Sequence, residues 1–205
     1  MTDLVTISNG AFTARINPLG AELSSLTDPQ GRQYMTDADP RYWTGHAPLL
    51  FPVVGALRNG SYRLDGRKYA LPKHGFARTS RFELVGQAAD RVRFRLVESE
   101  ATLAVYPFRF ELQMTLALSG ATLSMAATVR NPGAGPLPFS FGFHPAFAWP
   151  LPGGVAKDDH AIVSSATSPG TSGGSTARDW WRAASRRRWR AGRSPCGPRC
   201  SRTMR

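Results

Sequence analysis

Two runs of alternating apolar residues limit what this chain can fold into. Val92, Phe94 and Leu96 alternate with Arg91, Arg93 and Arg95. Phe108, Phe110, Leu112, Met114, Leu116 and Leu118 repeat the pattern in a longer run. A period of two puts each apolar set on one face of a pleated strand, where a helix would scatter it around its axis. Shorter strands are predicted at residues 4–8, 12–16, 21–26, 62–64, 68–71, 82–85 and 123–129. Turn dipeptides separate them: Asn9-Gly10, suited to a type I′ hairpin, Asp65-Gly66, another hairpin signal, and Ser119-Gly120. Asp28-Pro29-Gln30-Gly31 and Asn131-Pro132-Gly133 end two more segments. No segment before residue 160 keeps a helical period over three turns. The prediction is an all-β chain, with many short strands packed as a β-sandwich.

Charge is unevenly placed. The chain has 205 residues and a formal net charge of +12. Residues 1–160 carry 16 Lys and Arg against 13 Asp and Glu, a net of +3. Residues 161–205 carry 10 Arg, no Lys and one acid, Asp179, a net of +9. The body is close to balance, which argues against a polyanion partner for it. Arg91, Arg93 and Arg95 read as the solvated face of a strand. Both cysteines, Cys196 and Cys200, lie in the basic tail, so no disulfide framework is expected in the body and a reducing cytoplasm fits. The N-terminus lacks the basic-then-apolar pattern of a secretion signal. No apolar run is long enough to span a membrane.

Polar chemistry gathers in residues 45–78. Their end, His74-Gly75-Phe76-Ala77-Arg78, sets an imidazole and a guanidinium around a glycine. Glycine allows close backbone approach, histidine exchanges protons near neutral pH, and arginine holds oxygen-rich groups. A second histidine stands in Ser140-Phe141-Gly142-Phe143-His144-Pro145. The two clusters are read as two sides of one pocket. Taken singly, each histidine could equally be a backbone-bonded turn residue, and Arg58, beside Asn59-Gly60, a solvated turn arginine. Phe51, Phe76 and Phe147 could supply an apolar wall to that pocket, although aromatic residues at such places are more often core. His46 and His160 match no pattern. His46, His74 and His144 show no tight metal-ligand spacing, so no metal is expected.

These motifs, in their order, resemble the galactose mutarotase-like, or aldose 1-epimerase, superfamily, and within it the LacX-type branch. The matching text is Asn17-Pro18-Leu19-Gly20-Ala21-Glu22-Leu23, then Pro48-Leu49-Leu50-Phe51-Pro52-Val53-Val54-Gly55. Tyr62, Gly66 and Tyr69 follow, then His74 to Arg78, and last Phe141-Gly142-Phe143-His144-Pro145 with Phe147. The resemblance covers about residues 4–155. It implies an antiparallel β-supersandwich and an isomerase that interconverts the anomers of a free hexose without a cofactor. It further implies His144 as general acid toward the ring oxygen and His74 as the residue that binds and polarises the sugar. Arg58 and Arg78 are implied as substrate-binding residues. A sugar phosphate is a second candidate substrate, since both arginines could hold a phosphate.

The departure from the family pattern lies late in the chain. The family's glutamate base would fall beyond residue 160, where there is no Glu. Residues 164–205 lack Leu, Ile, Val, Phe, Tyr, Lys and Glu, and carry Trp180, Trp181 and Trp189 among Arg, Ser, Gly and Pro. Such a segment has little to bury and is expected to be disordered. Its repertoire resembles an out-of-frame reading of GC-rich codons; a genuine basic arm is the alternative. The expected organisation is therefore residues 1–160 as the N-terminal part of an epimerase-like sandwich, incomplete at its C-terminus, and 161–205 as an unrelated tail. Impaired epimerase activity is the expected function, a non-catalytic carbohydrate-binding protein the alternative. Nucleic acid enters only through non-specific attraction to the tail.

Overall fold

A computed structural model describes residues 4–162. Almost all of the Arg-rich tail, including the expected disorder and both cysteines, lies outside the described residues. Those described fall into two units: one running to Pro152, and a segment from Gly153 that holds a single 3-10 turn at Lys157–Asp159. Among the described residues, the first unit carries every strand.

It opens with β1 (Val5–Ser8), β2 (Thr13–Asn17) and β3 (Glu22–Thr27), an antiparallel sheet in chain order. The short strand β4 (Leu49–Leu50) follows, then the hairpin β5 (Ser61–Leu64) and β6 (Arg67–Ala70). A second sheet is built from β7 (Glu83–Gln87), β8 (Arg91–Val97), β9 (Glu111–Ser119) and β10 (Thr122–Arg130), ordered β10-β9-β8-β7. One short helix, α1 (Glu100–Val105), connects β8 to β9, and β11 (Gly142–Phe143) pairs with β4. Every strand pair is antiparallel.

The alternating runs form the predicted faces. Val92, Phe94 and Leu96 are buried on β8, and Leu112, Met114, Leu116 and Leu118 on β9. Their partners across the ladder are apolar too: Phe94 faces Met114, and Leu96 faces Leu112. Arg91 and Arg93 lie on the exposed face, and Arg95 there pairs with Glu83 at 2.7 Å. β1 packs across β8 and β9, adding Ile7 to the core, while Ala14, Ile16 and Leu23 are buried on β2 and β3. Burying each Leu, Ile or Phe contributes about 1.5–3 kcal/mol, which makes this face the main source of stability.

Two local predictions need correction. The β1–β2 connection is a four-residue loop, not a two-residue type I′ turn. Ser8 faces Thr13, only Gly10 has positive φ, and the Asn9 carboxamide oxygen accepts from the N–H groups of Ala11 and Phe12. By contrast Asp65 and Gly66 both have positive φ, as a type I′ turn requires. Phe108 lies outside the strand its alternation joined, because β9 begins at Glu111; its half-buried ring packs on Tyr106 at 4.8 Å. The helix α1 is too short for a periodicity test, and a reciprocal Ser99–Thr102 capping box holds its start.

Phe51 joins the sandwich to the loops above it. Its side chain has no solvent exposure and touches the rings of Phe76, Tyr106, Phe110 and Phe139. Phe51→Ala is expected to cost about 3–5 kcal/mol through the cavity it leaves. Urea denaturation would measure this; a loss under about 1 kcal/mol would show that the aromatic cluster is not structural.

Candidate active site

Backbone geometry places His74. Pro72 accepts from the N–H of Gly75 at 2.9 Å, closing a tight turn, and His74 sits at its crest with φ +67°. A non-glycine residue in that region costs about 1–3 kcal/mol unless its surroundings hold it there. Gly55 supplies the hold: its carbonyl accepts from the His74 N–H at 2.8 Å, and its own N–H donates to Nδ1 of the imidazole at 3.0 Å. The next residue has no room for a side chain. A Cβ at Gly75, itself at φ +69°, would lie 2.2 Å from the carbonyl oxygen of Phe51. That oxygen accepts from Phe76 and Ala77 at 3.0 and 3.2 Å.

The Gly55 bond also sets the chemistry of the ring. A nitrogen that accepts an N–H carries no proton, so neutral His74 bears its hydrogen on Nε2 and offers it as a donor. Burial, then the neighbouring Lys73, Arg78 and His144, push His74 below the ordinary imidazole value. His74 is therefore a neutral donor at physiological pH.

His144 comes to the same place from seventy residues further along the sequence. β11 pairs with β4 so that Phe143 faces Leu49 and Gly142 faces Leu50. Ser140 ties the approach: its N–H donates to Pro52 and its hydroxyl accepts from Val54, both at 2.9 Å. The chain then runs on as an edge, with Met35 bridging Phe147 and Ala146 donating to His46. His144 is thereby left exposed, with its ring centroid 6.1 Å from that of His74. Trp43 packs edge-on against His144 at 5.2 Å. It was missed as a site residue; an indole in the same loop as His46 was the available signal. Phe51 and Phe76 are core, whereas Phe147 is 46% exposed.

The two arginines stand apart from this pair in different ways. Arg78 lies on a 3-10 turn, Ala77–Thr79, exposed, with its guanidinium donating to the Lys73 carbonyl at 3.4 Å. Arg58 lines a groove of about 360 Å³ with Asn59, Ser61, Tyr62, Arg63 and Lys68, and neither histidine lines that groove. The backbone N–H of His46 donates to the Glu22 carboxylate at 2.7 Å. Among the described residues, no group of three His, Cys, Asp or Glu side chains is placed to hold a metal.

The sequence and the fold have counterparts among known proteins. The profile of the aldose 1-epimerase family matches residues 3–169. The chain belongs to the aldose 1-epimerase family. It is 33% identical to the chromosomal protein LacX of Lactococcus lactis subsp. lactis over 164 residues, covering 77% of this chain and 55% of that one. A galactose mutarotase related enzyme from Lactobacillus acidophilus superposes with a TM-score of 0.73 at 36% identity, covering 76% of this chain and 52% of that one. A galactose mutarotase-like protein from Lactobacillus casei gives 0.69 at 37% identity, with coverage of 71% and 50%. The epimerase-family chain described here thus has the galactose mutarotase-like β-sandwich fold of the LacX-type branch. It spans about half the length of the curated relatives it matches.

The depressed His74 value has a signed consequence. As pH falls, the unfolded chain takes up this proton first, near pH 6.5. The contribution of His74 to stability is therefore complete above that pH and is lost as pH falls through the lower folded value. In an NMR titration the His74 ring should protonate below the ordinary value, with the hydrogen on Nε2 in its neutral form. Titration at or above the ordinary value, or a hydrogen on Nδ1, would refute the Gly55 arrangement.

Proposed function

We propose that this chain binds the pyranose form of an aldose between His74 and His144, in a site built for anomer interconversion. The observation that carries the reading is the pair of imidazoles 6.1 Å apart, brought together from positions seventy residues apart. In this reading His74 donates its Nε2 hydrogen to a sugar oxygen. His144, exposed and braced by Trp43, protonates the ring oxygen while a base takes the proton of the anomeric hydroxyl. The C1–O5 bond breaks to give the open aldehyde, rotation about C1–C2 presents its other face, and the steps reverse. Paired groups that titrate near working pH suit such transfers. Arg58 and Arg78 are proposed as sugar-binding residues. The absence of cysteine from residues 1–160 supports a cytoplasmic setting.

The base is the weak point of the machinery. No Glu follows Glu111 in the sequence. For the 205-residue chain we therefore expect sugar binding with impaired interconversion. The same fact favours the second reading, a carbohydrate-binding protein without catalysis.

Calorimetry and polarimetry with galactose and glucose separate these readings. His74→Gln is expected to weaken sugar binding. His144→Gln is expected to bring any interconversion above the spontaneous rate down by about 10²–10⁴-fold, or to background. Binding with no rate enhancement in the unsubstituted chain selects the second reading. A chain that binds neither sugar overturns both.

A further inference from the structure

The second sheet has two edges, and they are built differently. β7 is bulged between Leu84 and Gly86, and it carries Glu83 at one end. At its other end the Gln87 side chain donates to the Thr6 carbonyl at 3.0 Å. A bulge, a charge and a covering contact each keep an edge from accepting another strand. β10 has none of these along its length. Its nine residues run in unbroken register against β9, and Arg130, the last of them, is its one charged residue. That guanidinium bonds Glu111 on β9 at 3.3 Å. Among the described residues, β10 pairs with β9 alone. Alternate residues of an edge strand aim N–H and C=O away from the sheet, so β10 presents a row of unpaired backbone groups.

The apolar face of the sheet continues onto β10, but its cover does not. Leu123, Met125, Ala127 and Val129 stand opposite Leu118, Leu116, Met114 and Leu112 of β9. The four on β9 are at most 2% exposed, whereas the four on β10 are only half-buried. A strand with the same alternation, laid along β10, would pair the backbone row and shield the open flank of the apolar one.

Few segments can supply such a strand. Residues 153–205 never alternate more than two apolar residues in succession, and 164–205 hold no Leu, Ile, Val or Phe. β10 itself has the pattern, and the pattern is symmetric. Turned antiparallel about Ala126, it sets Leu123 against Val129 of a second copy and Met125 against Ala127. On the other face Ser124 meets Thr128, and Thr122 meets Arg130. Opposed residues of an antiparallel pair share a face, so apolar meets apolar and no like charges are opposed. The same patch serves both copies, and the contact closes at two.

We propose that β10 is a self-association edge: a second copy of this chain pairs with it, antiparallel about Ala126, and joins two four-stranded sheets into one. The proposal goes beyond the sugar-site reading and stands independently of it.

Sedimentation velocity on the full chain, over a range of concentrations and under reducing conditions, tests it. One strand pair is a small interface, so a monomer–dimer equilibrium with a dissociation constant on the order of 10 μM is expected. Ser124→Lys/Thr128→Lys changes two exposed side chains and sets lysine against lysine across the pair. It should weaken association about tenfold. Ser124→Lys/Thr128→Glu sets lysine against glutamate in the same register and should stay within about threefold of the original. Should these variants not fold, amide exchange in the unsubstituted chain decides. Alternate β10 amides should exchange about tenfold more slowly as the dimer fills, while those of β7 stay unchanged. A chain that stays monomeric overturns the proposal, as does a dimer that neither variant weakens. Equal weakening by both variants overturns the Ala126 register and the proposal with it. So does β10 exchange that ignores concentration.

Discussion

The carbonyl of Phe51 meets the backbone of residues 75–77, and the rest of the site hangs from that contact. Phe76 and Ala77 both donate to it, and Gly75 passes so close that a single methyl group would strike it. On the other side of the same residue, the Phe51 ring is locked among four aromatic neighbours. One residue thus ties the turn that lifts His74 to the centre of the core. A positive φ at a histidine costs free energy; here the reciprocal Gly55 bonds and the close Phe51 contact offset it. The strain therefore has a structural cause, and its product is an imidazole with one defined donor.

The same construction explains why two histidines seventy positions apart share a pocket. β4 holds only Leu49 and Leu50, but it lies directly before Phe51 and pairs with β11, directly before His144. Two short strands thus align a turn on one side with a loop on the other. Ser140 reinforces the alignment by bonding both Pro52 and Val54. Trp43 then limits the tilt of the His144 ring from the opposite side. Such a site depends on backbone register more than on its own side chains, which is what lets reacting groups stay exposed without wandering.

How much of this was legible follows from length scales. β8 and β9 alternate over seven and nine residues, long enough for period two to stand out, and their faces were read correctly. β4 and β11, two residues each, have no period at all. The helix α1 covers less than two turns. Asn9-Gly10 invited a two-residue turn because the dipeptide allows one; the Asn9 side chain instead caps a longer loop, a choice made by side-chain hydrogen bonds that composition does not report. His74 and His144 were visible as motif residues, but their neutral and charged surroundings were not. The Gly55 bond to Nδ1 joins residues nineteen apart, and nothing in either segment alone announces it. Trp43 was overlooked for the same reason, since its partner lies a hundred residues away.

Charge shows the opposite case, in which a total misleads and placement informs. A net of +12 describes an apparent polyanion binder, and moving the +9 of the last 45 residues aside makes the body look ordinary. Neither figure reveals that Arg95, Arg109 and Arg130 are neutralised by cross-strand and loop carboxylates, while Arg91 and Arg93 on the exposed face of β8 and the cations of residues 58–81 sit in no salt bridge among the described residues. Arg95 opposite Glu83 and Arg130 opposite Glu111 are pairs that a ladder brings together by register. Residues 58–81 have one acid to offer, so no register could pair their cations. On the hairpin the ladder sets Arg63 opposite Lys68, so register there brings like charges together instead of pairing them.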